Sequence, residues 1–240
     1  MQPEARPGGI RSILVPIARE GRPFIAIGLA LTAAGYWVAH PLGTAALVLT
    51  AWCVYFFRDP ERVTPRRDGL LVAPADGVIL SIGTVPPPEQ LRLGEQECLR
   101  ISTFMNVFDC HVNRLPCSGR IGTLHYVPGR FVNASLDKAS EQNERQLVRV
   151  DRRDGRAVGL VQIAGLVARR IVCRLHEGQE VTVGDRFGLI RFGSRVDVYL
   201  PADALPLVEV GQRSIAGETV LAALGAGEPL VGMRSGEESA

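Results

Sequence analysis

Lysine is almost missing from this chain: among 27 basic residues in 240, only Lys138 is a lysine. Enzymes that hold pyridoxal phosphate need a lysine for the internal imine, so one lysine leaves little room for that chemistry. Cysteine is sparse and badly spaced for structure. Cys53, Cys98, Cys110, Cys117 and Cys173 are odd in number and form no Cys-x-x-Cys pair. A disulfide framework or a zinc site is therefore not expected, no metal is called for, and reduced thiols in a cytoplasmic setting are the default. Charge of one sign is also lacking. A formal balance of +2, with no basic run interleaved with aromatics, gives no argument for nucleic acid. After Phe57 there is no helix-period pattern of any length, so the water-facing part is expected to be mainly β.

Charge is absent altogether from Pro23 to Phe57, where His40 is the one ionisable side chain. His40-Pro41 splits this run into two apolar halves, Pro23–Ala39 and Pro41–Phe57, of 17 residues each. A spanning helix wants about 20 residues and at least about 17. Two short spans or a shallow re-entrant hairpin both fit, and residues 23–57 are read as a membrane hairpin after an N-terminal segment, 1–22. The second apolar half and its arginine flank argue against a cleaved signal peptide. Arg11, Arg19 and Arg22 precede the run, and Arg58, Arg62, Arg66 and Arg67 follow it. Arginines on both sides suit a hairpin with both ends in the cytoplasm. Pro60 and Pro65 then stop any helix.

The remainder, residues 58–224, reads as one β-rich domain of barrel-sandwich type, with a Gly- and Glu-rich tail at 225–240. Leu70–Gly83 is a strand, a Pro-Ala-Asp-Gly turn and a second strand. Asp76 is either hairpin-turn chemistry or a carboxylate at a strand end placed to orient a histidine. Pro86–Pro88 and the polar run after it read as an exposed loop. Ile101–Ile121 holds a strand, a turn at Asn106–Asp109, and a short extended piece opened by His111 and closed by Pro116. Asn113 and Arg114 add a polar donor and a fixed cation, enough to bind phosphate or carboxylate. His125 and His176 sit beside turns and are taken as structural or surface residues. Phe131–Gln146 reads as a polar surface segment near the site. Leu147–Val150 and Ala157–Ala164 flank a hairpin turn at Arg152–Gly155. Glu180–Ile190 and Glu209–Leu221 share a valine–glycine–turn–strand wording with lipoyl- and biotinyl-type carrier barrels, but neither contains the lysine that those domains modify.

The stretch FGLIRFGSRVDVYLP, Phe187–Pro201, carries the sharpest choice. Two β-rich runs flank Gly193-Ser194 with no Asn, Asp or Pro between them. The plain reading is a two-residue hairpin turn with glycine first. The functional reading is a serine hydroxyl held against its own preceding carbonyl, with glycine allowing the backbone geometry.

Four stretches, in order, resemble phosphatidylserine decarboxylases: Phe56-Phe57-Arg58-Asp59-Pro60, the Pro-x-Asp-Gly at Asp76, His111 five residues before Pro116, and Phe192-Gly193-Ser194 ahead of a hydrophobic strand. Ala139, Ser140, Glu141, Asn143 and Glu144 match a further family segment. Two departures stand out. Arg195 replaces the usual small residue after the serine. Arg114 stands where longer members carry a second histidine, so either His111 serves both self-cleavage and turnover or another group takes one task. The His-Val-Asn-Arg form resembles the short branch of the family.

The resemblance implies a self-cleaving precursor. Ser194, deprotonated by His111 with Asp76 behind it, attacks the Gly193 carbonyl, and the chain parts into 1–193 and 194–240, which stay together as a heterodimer. Residue 194 becomes a covalent pyruvoyl cofactor. The implied substrate is phosphatidylserine in the bilayer, with Asn113 or Arg114 holding its phosphate or carboxylate, and the product is phosphatidylethanolamine. The implied location is the cell membrane, with the catalytic domain on the cytoplasmic side; a homo-oligomer is left open. Two rivals remain: a pyruvoyl decarboxylase of a soluble amino acid, and a membrane-tethered β-barrel binding or scaffold protein in which Gly193-Ser194 is only a turn.

Overall fold

The computed structural model describes residues 15–129, 143–165, 170–191 and 193–225. The chain divides into two compact units, residues 1–61 and 62–240.

The first unit is a helical hairpin. Helix α1 (Arg22–Val38) and helix α2 (His40–Phe56) each run 17 residues, with Ala39 extended between them. Pro23 and Pro41 lie in the first turn of their helices, where a missing N–H leaves no helical bond unmade. The helices approach through small residues. A Cβ on Gly35 would lie 2.9 Å from the Gly43 nitrogen, and one on Gly28 would lie 2.6 Å from Thr50 Oγ1. Thr32 and Thr50, both buried, face each other at 3.4 Å between their hydroxyl oxygens. The large apolar side chains point the other way: Ile27, Leu31, Trp37, Val48 and Leu49 are all at least 60% exposed. Among the described residues no helix is long and apolar enough to cross a membrane.

The second unit is mainly β, as expected. Its strands are β1 (Leu70–Val72), β2 (Gly77–Val85), β3 (Cys98–Met105), β4 (Val112–Arg114), β5 (Gly119–Val127), β6 (Arg145–Asp151), β7 (Ala157–Ala164), β8 (Ile171–Cys173), β9 (Glu180–Val181), β10 (Arg186–Ile190), β11 (Ser194–Leu200), β12 (Ala204–Pro206), β13 (Arg213–Ser214) and β14 (Val220–Leu224). Eight of them form an antiparallel sheet in the order β13-β2-β3-β11-β7-β6-β5-β9, which curls into a half-barrel. Two three-stranded sheets, β1-β14-β12 and β4-β10-β8, complete the unit. All three share one core: Leu71 and Leu221 from one small sheet and Phe187 from the other meet Ile101, Leu160 and Val198 of the large sheet. Full burial stabilises each such side chain by about 1.5–3 kcal/mol.

Three local readings change. The strands around Asp76 are no hairpin, because β1 pairs with β14 while β2 pairs with β3 and β13. The loop after Pro88 is not wholly exposed. Leu91 is buried and packs with Leu147, Val161, Ile163 and Tyr199 on the far face of the large sheet. Nor is Gly193-Ser194 a hairpin turn: β10 joins β4 and β8, whereas β11 lies between β3 and β7. The chain changes sheets at this glycine.

Candidate active site

Ser194 opens the central strand of the large sheet. It stands opposite Met105 on one side and Ala164 on the other, and Val196 stands opposite Thr103 and Gln162. Directly opposed residues, and residues two apart, share a face of a sheet. Ser194, Met105, Ala164, Val196, Thr103 and Gln162 therefore make two rungs of one face. Ser194 is wholly buried, and its hydroxyl has no hydrogen-bond partner among the described residues. A buried hydroxyl left unpaired costs about 1–3 kcal/mol, so it calls for an explanation in chemistry.

Gly193 supplies one. Its φ is +53°, the left-handed region that side-chain-bearing residues rarely adopt. A Cβ there would meet nothing within 4 Å among the described residues, so conformation rather than crowding selects glycine.

The β4-β10-β8 sheet brings Asn113 against the Ser194 face. Asn113 is fully buried; its Oδ1 accepts from Gln162 Nε2 at 2.8 Å, and its Nδ2 reaches Met105 Sδ at 3.6 Å. Gly188 lets β10 pack this closely, since a Cβ would lie 2.3 Å from Val172 O and 3.0 Å from Gln162 Nε2. His111, just before β4, is also fully buried, and its carbonyl accepts from Ile190 N at 3.4 Å at the end of β10. His111 Nδ1 lies 3.0 Å from Asp109 O. A carbonyl only accepts, so Nδ1 carries the hydrogen and Nε2 of the neutral ring carries the lone pair a base needs. Asp109 in turn closes the Asn106 turn through its Oδ2 and takes Arg213 on its Oδ1.

Asp76 precedes β2 at this same end of the sheet. Gly77 runs so close to β3 that a Cβ would lie 2.1 Å from Phe104 O, one residue before Met105. The Asp76 carboxylate takes Arg62 Nη2 at 2.7 Å and the Ala216 N–H at 2.8 Å. Arg114 parts company with Asn113, because adjacent strand residues face opposite ways. It donates to Gly184 O at 3.0 Å, and its Cδ occupies the space a Cβ on Gly217 would need. Asn143 and Glu144 secure the β7 end facing Ser194: Asn143 Nδ2 donates to Ala164 O at 2.7 Å, and Glu144 O accepts from Ala164 N at 3.0 Å. Ala139, Ser140, Glu141 and Phe192 lie outside the described residues.

Gln162, Asp109 and Arg62 were not singled out from the sequence as site residues. Gln162 alone left a signal, as a polar residue inside the apolar run Val158–Ala164. A cavity of about 820 Å3 lined by Arg66, Arg67, Arg152, Arg153 and Thr182 lies elsewhere. It flanks the turn that leads into β7, whereas Ser194 faces the last residue of that strand.

Residues 49–222 match the family described as phosphatidylserine decarboxylase. Over 225 residues the chain is 57% identical to the phosphatidylserine decarboxylase proenzyme of Paramagnetospirillum magneticum, which covers 92% of this chain and 91% of that one.

Proposed function

The chain belongs to the phosphatidylserine decarboxylase family, and from that premise we propose that it cuts itself between Gly193 and Ser194 and then decarboxylates phosphatidylserine to phosphatidylethanolamine. The observation that carries the reading is the buried Ser194 hydroxyl, without a partner among the described residues, directly after a glycine at φ +53°. The same features fit a pyruvoyl group: a buried serine whose hydroxyl has no competing hydrogen bond among the described residues, opposite small Ala164, with buried Asn113 held to Gln162 and Met105 on the neighbouring rungs.

The steps follow from these residues. His111 Nε2 takes the Ser194 hydroxyl proton as the oxygen adds to the Gly193 carbonyl carbon. The C–N bond breaks, nitrogen takes up a proton, and an ester joins the two residues. Loss of the Ser194 α-proton and cleavage of the Cβ–O bond release residues 1–193 with a C-terminal carboxylate and leave dehydroalanine at 194. Water replaces its nitrogen, ammonia departs, and a pyruvoyl group heads residues 194–240. A pyruvoyl group at position 194, flanked by Met105 and Ala164, would supply the electron sink that decarboxylation of an amino acid headgroup needs. His111 then holds the proton to be returned to the substrate carbon. Asn113 faces the Ser194 rung and is the better placed of the two candidates to hold substrate phosphate or carboxylate. Asp76, fixed by Arg62 and Ala216, keeps a carboxylate at the same end of the sheet.

The helical hairpin supports membrane residence with the catalytic unit on the cytoplasmic side. Threonine and glycine fill the seam between its helices while isoleucine, leucine and valine face outward, the arrangement suited to lipid rather than water. Helices of 17 residues reach about 25 Å, short of a hydrocarbon core of about 30 Å, which favours a re-entrant hairpin. Arg58, Arg62, Arg66 and Arg67 after it favour the cytoplasmic side.

Denaturing gels and intact mass test the self-cleavage. The wild type is expected as two pieces, 1–193 and 194–240, and Ser194→Ala as one chain of 26.0 kDa. An uncut wild type that still releases carbon dioxide from phosphatidylserine would overturn the reading. Comparing release from lipid-borne and free serine separates the lipid enzyme from one acting on a soluble amino acid.

A further inference from the structure

We infer that Gln162 is a positioning residue for the self-cleavage, turning the Asn113 amide so that its N–H group faces the rung on which Ser194 stands. The inference rests on the reading of Gly193-Ser194 just given. Gln162 is wholly buried on β7, one rung from Ser194, and Nε2 donates to Asn113 Oδ1 at 2.8 Å. With its oxygen engaged, Asn113 presents Nδ2 on the other side, where it meets Met105 Sδ at 3.6 Å. Turning both amides over would set the Asn113 oxygen against sulfur, lone pair against lone pair. The neighbours therefore settle which end of the amide is which.

Met105 is the residue directly opposite Ser194. An N–H donor thus stands beside the reacting pair, held among the described residues by a weak sulfur acceptor and ready to be redirected. Three oxygens on the two rungs, Ser194 Oγ, Thr103 Oγ1 and Gln162 Oε1, are buried and have no partner among the described residues. A fold that only needed packing would fill this face with apolar groups at lower cost.

The chemistry has a use for the donor. As Ser194 Oγ adds to the Gly193 carbonyl carbon, its proton passes to His111 and the carbonyl π pair moves onto oxygen. That charge needs a preorganised N–H. Asn113 Nδ2, exchanging sulfur for the oxyanion, supplies it. Without Gln162, the Asn113 oxygen loses the donor that fixes it, and among the described residues only the weak Met105 sulfur is left to hold the N–H end toward the rung.

The test follows self-cleavage of freshly synthesised full chain on denaturing gels. Gln162→Met, or Gln162→Leu should Met not fold, keeps the volume and removes the hydrogen bond. The expected result is a cleavage rate lower by roughly ten- to a hundredfold, with the melting temperature close to wild type. Asn113→Ala should slow cleavage at least as much, and the double variant should be no slower than Asn113→Ala alone, because one effect runs through the other. Loss of packing alone would make the two effects multiply, and that outcome overturns the inference. So does Gln162→Met cleaving at the wild-type rate while the wild type is cut normally. If the wild type itself stays whole, the self-cleavage reading falls first and this inference with it.

Discussion

Arg195 grips Asp197 with two parallel hydrogen bonds, Nε to Oδ1 and Nη2 to Oδ2, each 2.8 Å, and neither side chain has more than 1% of its surface exposed. By strand alternation the pair lies on the face of β11 opposite Ser194. The arginine that departs from the family's usual small residue is therefore half of a buried ion pair. Such pairs add little over an apolar substitute, but breaking one strands a charge. Arg195→Met should destabilise the fold by about 3–5 kcal/mol, and Arg195→Met with Asp197→Leu should recover most of that. Urea denaturation of the three chains checks it; a single variant as stable as wild type refutes it.

Asp76→Asn separates catalysis from stability. Asparagine keeps an oxygen for the Ala216 N–H and gives up the ion pair with Arg62, whose partners are 15% and 13% exposed. The pair is partly buried, so its loss costs about 1–3 kcal/mol and the melting temperature should fall by up to roughly ten degrees without loss of the fold. Self-cleavage should slow at least about a hundredfold, the range for losing a charged group from acid–base machinery. Cleavage at the wild-type pace would make Asp76 a turn residue tied to Arg62.

What the sequence disclosed about this site followed the range of the interactions. The mainly β character was legible, and His111 and Ser194 stood out as candidates, because each rests on neighbours in the chain. The separation of β10 from β11 was not, since Arg186–Ile190 and Ser194–Leu200 look locally like two arms of a hairpin. Only their partners, β4 and β8 for one and β3 and β7 for the other, pull them apart. Arg114 and Asn113 read as a joint anion site for the same reason, until the pleat sends them to opposite faces. Gln162 meets Asn113 across 49 residues of chain, a distance at which no local pattern pairs two amides.

Cys117 gives the fold an alkaline limit. Burial pushes its thiol up to about 11 from an ordinary 9.0, against the opposing pull of the Arg152 guanidinium. The folded chain holds this proton more tightly than the unfolded chain does. The stability it contributes is complete below pH 9 and is lost as pH rises toward 11. At one pKa unit per about 1.4 kcal/mol, the loss amounts to roughly 2–3 kcal/mol. Melting curves between pH 8 and 11 should fall more steeply for wild type than for Cys117→Ala. Parallel curves would mean that the thiol titrates normally.

The hairpin offers the last test, because its seam and its outer surface make opposite demands. Thr32 and Thr50 meet in the seam, so Thr50→Leu must force the helices apart: Gly28 already lies against Thr50 too closely to admit even a Cβ. On the outside, Leu31, Val48 and Leu49 are at least 60% exposed and touch little within the unit. Changing these three to glutamine should leave self-cleavage intact, since that chemistry sits in the other compact unit. It should nonetheless weaken association with phospholipid vesicles by at least about a hundredfold, because each apolar side chain entering lipid contributes about 1.5 kcal/mol or more. Vesicle flotation measures the binding and a denaturing gel the cleavage. Undiminished flotation of the triple variant would show that the outward apolar face of the hairpin is not what holds the chain at a membrane.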